Sequence, residues 1–253
     1  MPKYSPPSDL LLDRTILITG AGSGIGAAAA HTFAVHGARV ILLGRTVAKL
    51  ESVYDTIEEA APGKATIHPL DLAQAVEPDY QTLAASIDEQ FGRLDGLLHN
   101  AAMLGSRTPV QHYPVTEWHQ MMQVNVNAAF MLTRALLPAL EGANDGRLLF
   151  TSSSVGRQGR AYWGGYAVSK FAVEGLMQVL AEELEHTSRI RVNSINPGGT
   201  RTAMRAAAYP AEDPATRPTP ESLMPVYLYL MGPDSRSVNG QAIDVQGYEP
   251  APA

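Results

Sequence analysis

The sequence predicts an α/β fold, a doubly wound parallel sheet of about seven strands flanked by helices. Three observations predict it. Short apolar runs alternate with longer segments of helical spacing, several of those runs lack apolar/polar alternation, and a glycine-rich turn joins the first run to the first helix. A strand covered by helices on both faces has no wet side, so it reads as a continuous apolar run such as Val40-Ile41-Leu42-Leu43. Strand and helix in alternation give right-handed crossovers between parallel neighbours.

Taken in order, strands are expected at residues 15–19, 39–43, 65–70, 94–98, 147–151, 190–195 and 242–245, where β-branched and aliphatic residues cluster between turn signals. Helices are expected at about 24–36, 46–60, 79–91, 116–140, 163–186 and 221–231, each long enough for a crossover. The stretch 209–220 holds four prolines between a strand and a helix, and is expected to be a mobile loop over a site. There is no internal repeat, low-complexity tract or interdomain linker, so residues 1–253 read as one domain.

Composition narrows the function classes. Nineteen basic against 25 acidic residues give a formal charge of −6, and neither sign forms a long run, which argues against a nucleic-acid partner. The absence of cysteine removes thiolate nucleophiles, disulfides, iron–sulfur clusters and cysteine zinc sites, and fits a reducing compartment. The first fourteen residues, MPKYSPPSDLLLDR, carry three prolines and only a three-leucine apolar stretch, unlike a signal peptide. Nowhere do about 18 apolar residues follow one another, so no membrane association and a cytoplasmic location are expected. The seven histidines include no His-x-x-x-His pair, so no metal site is expected, and no Gly-x-Ser-x-Gly elbow marks a serine hydrolase.

Right after the first strand stands Thr19-Gly20-Ala21-Gly22-Ser23-Gly24-Ile25-Gly26, followed by an alanine-rich helix. Glycines permit a tight turn, let a pyrophosphate approach the backbone N–H groups, and let the helix pack closely on the sheet; the helix dipole favours the anion. Gly20, Ser23, Gly24, Ile25 and Gly26 are therefore candidate cofactor contacts, and the sheet becomes Rossmann-type. Ile25 stands where the generic dinucleotide fingerprint has a glycine, which makes this the Thr-Gly-x-x-x-Gly-x-Gly variant. At the end of the second strand, where an acidic residue would bond the ribose hydroxyls of NAD, the sequence has Gly44-Arg45. A guanidinium there grips a 2′-phosphate and no carboxylate repels it, so NADP(H) is expected over NAD(H).

In the helix after the fifth strand, Tyr166 and Lys170 lie four residues apart and project from one face. An ammonium near a phenol favours the phenolate and brings it toward working range. Thirteen residues before the tyrosine, Ser153 sits at the carboxyl end of a strand, where ligands of open α/β sheets bind, although Ser152-Ser153-Ser154 leaves the register open.

With these motifs in place, nearly the whole chain resembles the short-chain dehydrogenase/reductase family, in its Tyr-x-x-x-Lys branch. The resemblance implies hydride transfer between NADP(H) and a small carbonyl or alcohol substrate. Tyr166 is implied as acid/base, Lys170 as the residue that lowers its pKa and binds the nicotinamide ribose, and Ser153 as the group that polarises the carbonyl. It also implies Asn125, with Asn127 as the register alternative, as the holder of a water linking the lysine to solvent. Asp71 and Leu72 resemble the adenine-contacting pair, and Asn100 and Ala101 a cofactor-contacting segment. In that segment His99 and Ala102 depart from the family's Asn-Asn-Ala-Gly, and alanine at a position needing positive φ costs about 1 kcal/mol. Pro197, Gly198, Thr200 and Thr202 resemble the segment that holds the nicotinamide carboxamide.

By the same likeness, the single domain has a cofactor half at about 14–110 and a catalytic half at about 111–247. A homodimer or homotetramer through the helices near 116–140 and 163–186 is implied. Fold alone does not fix function, so the competing expectation is a catalytically silent nucleotide-binding regulatory or scaffold protein. Arg157, Arg160, Arg201 and Arg205 flank the site in sequence; an acidic substrate and a merely solvated role are both open for them.

Overall fold

The computed structural model describes residues 4–249; residues 1–3 and 250–253, the ends of the expected 1–253 domain, lie outside the described residues. Seven parallel strands form one sheet: β1 (Thr15–Thr19), β2 (Arg39–Gly44), β3 (Ala65–Pro69), β4 (Gly96–His99), β5 (Arg147–Thr151), β6 (Arg191–Asn196) and β7 (Ala242–Asp244). The order is β3-β2-β1-β4-β5-β6-β7. Leu17 pairs with Ile41 on one side and Leu97 on the other, so the strand order reverses at β1. Ligands of such sheets bind past the carboxyl ends of the strands at that reversal, because the flanking crossovers there run to opposite faces.

Helices cover both faces, as the unbroken apolar strands require. On one face α1 (Gly24–Val35) and α8 (Met224–Met231) pack with Ile16, Ile18, Val40 and Leu42. The small buried side chains Ala28, Ala29, Ala30 and Ala34 let α1 lie close to the sheet. On the other face α3 (Glu77–Phe91), α5 (Ala128–Glu141) and α6 (Gly164–Glu185) pack with Leu17, Ile41, Leu97 and Leu148. The helix α2 (Val47–Ala60) flanks β2 and β3.

Three expectations need correction. The helix expected at 116–140 is α4 (Val115–Met122), a π turn (Gln123–Asn127) and α5, because one extra residue per turn at 123–127 swings Asn125 inward. A short helix, α7 (Ala203–Ala208), was not expected; the Thr202 hydroxyl caps it by accepting from the Arg205 N–H at 3.2 Å. The stretch 209–220, expected as a mobile loop, is instead held by Glu212, which accepts from both Arg205 and Arg217, and by a 3₁₀ turn at Pro214–Thr216. Arg201 also donates to the carbonyl of Pro214 at 2.9 Å.

Candidate active site

A cavity of about 440 Å³ opens at the carboxyl ends of β1, β2, β4, β5 and β6. The glycine turn forms one wall. Gly20 has φ +68, a conformation L side chains rarely adopt, and a Cβ on Gly26 would meet the Gly20 carbonyl oxygen and Asn100 Nδ2, so neither position tolerates a side chain. Ser23, Gly24 and Ile25 line the cavity beside them, whereas Gly26 lies beneath and serves the packing.

Past β2, Arg45 lines the same wall, exposed and free of any ion pair among the described residues. Thr46 and Lys49 stand beside it in the cavity lining; sequence reasoning missed both, although a lysine four residues after Arg45, in the first turn of α2, was the available signal. Asp71 and Leu72 after β3, and Asn100 and Ala101 after β4, also line the cavity. The Asn100 and Ala101 N–H groups both donate to Thr19 Oγ1, at 2.9 and 3.0 Å, which fixes this loop to β1.

The two departures in that loop have clear consequences. Ala102 is not among the positive-φ residues, so the alanine carries no backbone strain. His99 is buried, stacks on Phe150 with ring centroids 4.8 Å apart, and shares a 2.8 Å hydrogen bond with Thr133 Oγ1. Burial, assisted by the Lys170 charge, lowers its pKa to about 3, so the ring is neutral at physiological pH.

The opposite wall carries Ser153, Tyr166 and Lys170. Of the three serines, Ser153 is the one whose hydroxyl faces the Tyr166 phenol. Ser152 is buried and Ser154 exposed. Burial pushes the phenol up to about 12, with Ser153 acting against it. Lys170, only 3% exposed, donates to the Thr151 carbonyl at 2.6 Å and lies 5.6 Å from the centre of the Tyr166 ring. Burial lowers Lys170 to about 8, with Glu174 pulling the other way. The sequence-based expectation of an ammonium-driven fall in the phenol pKa therefore does not describe this pocket, where desolvation dominates both groups.

Several contacts hold these side chains. The Asn125 amide accepts from the Met103 N–H at 2.7 Å and donates to the Met103 carbonyl and to Ser169 Oγ. Asn125 thus ties the loop after β4 to α6, next to a small void that also touches Lys170 and His99, while Asn127 is exposed. Arg157, in the turn after Ser153, donates to buried Glu174 at 3.0 Å, and Ser194 Oγ donates to the other oxygen at 2.7 Å. That ion pair locks the serine turn against the helix that carries Tyr166 and Lys170. Pro197, Gly198, Thr200 and Thr202 close the cavity after β6.

The residues expected from sequence therefore converge on one cavity, apart from Gly26 and Asn125, which stand just behind it. The short chain dehydrogenase family profile matches residues 14–213. The chain belongs to the short-chain dehydrogenase family. This short-chain dehydrogenase is 55% identical, over 96% of both chains, to the uncharacterized oxidoreductase YciK of Escherichia coli. A short chain dehydrogenase from Pseudomonas syringae superposes with TM-score 0.95 at 58% identity, covering 97% of this chain and 100% of that one. Another from Shigella flexneri, complexed with NADP, gives TM-score 0.92 at 54% identity over 95% of this chain and 100% of that one. No helix among the described residues is long and apolar enough to cross a membrane.

Proposed function

We propose that this short-chain dehydrogenase transfers a hydride between NADP(H) and a small carbonyl or alcohol, using Ser153, Tyr166, Lys170 and Asn125. The observation that carries this reading is the placement of Ser153, Tyr166 and Lys170 on one wall of a cavity whose other wall is the glycine turn. NADP(H), when bound, supplies or accepts the hydride. The turn at Gly20, Gly22 and Gly24, which lines the cavity without side chains, fits a pyrophosphate, and unpaired Arg45 with Lys49 and Ser23 fits a 2′-phosphate. The NADP complex of the Shigella flexneri relative supports the same cofactor here.

In the reductive direction Tyr166 gives its phenolic proton to the carbonyl oxygen as negative charge develops there, and Ser153 donates a hydrogen bond to that oxygen. A phenol held at about 12 stays protonated at neutral pH, which suits it as the acid. Lys170 presents donors to a ribose hydroxyl, and Asn125 holds the loop that faces both. The exposed Phe130 on α5 and Phe171 on α6 support a homodimer or homotetramer through these helices.

The test is Tyr166→Phe. NADPH affinity is expected to stay within about twofold while turnover falls by about 1,000-fold or more, the range of a lost general acid and oxyanion donor. Unchanged turnover refutes the role of Tyr166.

A further inference from the structure

We infer that the substrate of this site is an uncharged ketone or aldehyde with a compact apolar body, and that carbonyls bearing a carboxylate are refused. The inference rests on the oxidoreductase reading above and concerns the part of the cavity around Tyr166.

That part is walled by Met103, Leu104, Trp163, Met204 and Ala208, all apolar. Two thioethers and an indole in the lining give a soft, adaptable surface for hydrocarbon. Among the described residues the cation beside Tyr166 is Lys170, which is buried and donates to the Thr151 carbonyl at 2.6 Å, so it faces the phenol and the strand end rather than this apolar end. Arg205, the one arginine that lines this end, donates to both oxygens of Glu212 at 2.6 and 2.7 Å and lies 3.7 Å from the centre of the Tyr209 ring. Arg107 lies beside the Trp163 and Tyr209 rings, 4.7 and 4.8 Å from their centres, while the rings pack on each other with centroids 6.0 Å apart; it donates to the Ala208 carbonyl and does not line the cavity. The other arginines that flank the site in sequence are also accounted for. Arg157 is paired with Glu174 and Asp244, Arg201 with three backbone carbonyls, and Arg160 is exposed and does not line the cavity.

Arg45 and Lys49 follow β2, three strands away from the end of β5, roughly 14 Å at the ordinary strand spacing, and do not reach a group held at Tyr166. A carboxylate entering beside Trp163 would lose its hydration and meet only the unpartnered indole N–H, a neutral donor, unless it displaced Glu212 from Arg205. This end is thus selective in two ways: Trp163 lines it with an indole packed on Tyr209, and Glu212 holds Arg205, the guanidinium that reaches the lining.

The experiment compares cyclohexanone, its para-carboxylate and the methyl ester of that acid as substrates with NADPH, with Tyr166→Phe as the control. The ketone and ester are expected to exceed the acid in kcat/KM by roughly 100-fold, the ester showing that charge rather than size is refused. Glu212→Gln, which frees Arg205, is expected to narrow the ester-to-acid ratio about tenfold. A readout without turnover is the melting temperature of the cofactor-free protein, expected to rise with cyclohexanecarboxamide and not with cyclohexanecarboxylate. Tyr166-dependent turnover of the acid at or above the rate of the ester, or stabilisation by the carboxylate alone, overturns the substrate class and leaves the oxidoreductase reading standing. Absence of Tyr166-dependent turnover with every carbonyl overturns that reading and this inference together.

Discussion

Lys170 is expected to weaken the fold it serves. Its ammonium is buried, and burial holds its pKa at about 8 rather than 10.5. Below about pH 8 the lysine is protonated in both folded and unfolded chains, and the native state bears the full cost of the buried charge, about 3 kcal/mol. Between about pH 8 and 10.5 the unfolded chain holds the proton and the native chain does not, so stability rises with pH and the cost disappears. Replacing the lysine by methionine, Lys170→Met, removes that cost and also the hydrogen bond to the Thr151 carbonyl, worth about 1 kcal/mol. The variant is therefore expected to be about 2 kcal/mol more stable than wild type at pH 7, to draw level near pH 10, and to have lost turnover. Denaturant unfolding of the cofactor-free proteins at the two pH values measures both differences. A variant less stable at pH 7, or a gap independent of pH, refutes the reasoning.

Other consequences follow from the same geometry. On the proposed cofactor reading, Arg45→Ala or Lys49→Ala would remove one exposed, solvent-screened contact to a 2′-phosphate, so the NADPH dissociation constant is expected to rise about tenfold with little change for NADH, measured by fluorescence titration. Gly26→Ala drives a Cβ into the Gly20 carbonyl and Asn100, and is expected to abolish the NADPH-induced rise in melting temperature. Because burial pushes the phenol up to about 12, reduction of a carbonyl is expected to hold across neutral pH, while alcohol oxidation, which needs the phenolate, climbs with pH in steady-state assays. Away from the site, Asp145→Ala strips the carboxylate from fully buried Arg147, which is left with the Gly146 and Gly232 carbonyls. A loss of about 3 kcal/mol in unfolding free energy is expected.

The parts legible in the sequence are those coded by nearby residues. The glycine turn and the Tyr166–Lys170 pair are local patterns whose geometry follows from one turn and one helix face. The strands read as apolar runs because they are covered on both faces, although β4 begins two residues later than expected, since Leu94 and Asp95 serve the connection from α3. What was not legible depends on distant partners. The π turn that buries Asn125 has no apolar signature, because its residues look like a continuing helix. Arg107, Trp163 and Tyr209 are far apart in sequence and come together only once β4, α6 and α7 are assembled. Likewise, nothing in the run of prolines at 209–220 indicates that Glu212 would bind two arginines.

The central claim, that the cavity is a cradle for NADP(H), is tested most directly by the melting temperature of the wild-type chain against NADPH and NADH. A ligand at 100 times its dissociation constant stabilises a fold by about 2.7 kcal/mol, roughly 5–10 °C for a chain of this length. The account predicts that rise with NADPH and a smaller one with NADH at equal concentration. No rise with either would contradict it, and a larger rise with NADH would contradict the role assigned to Arg45 and Lys49.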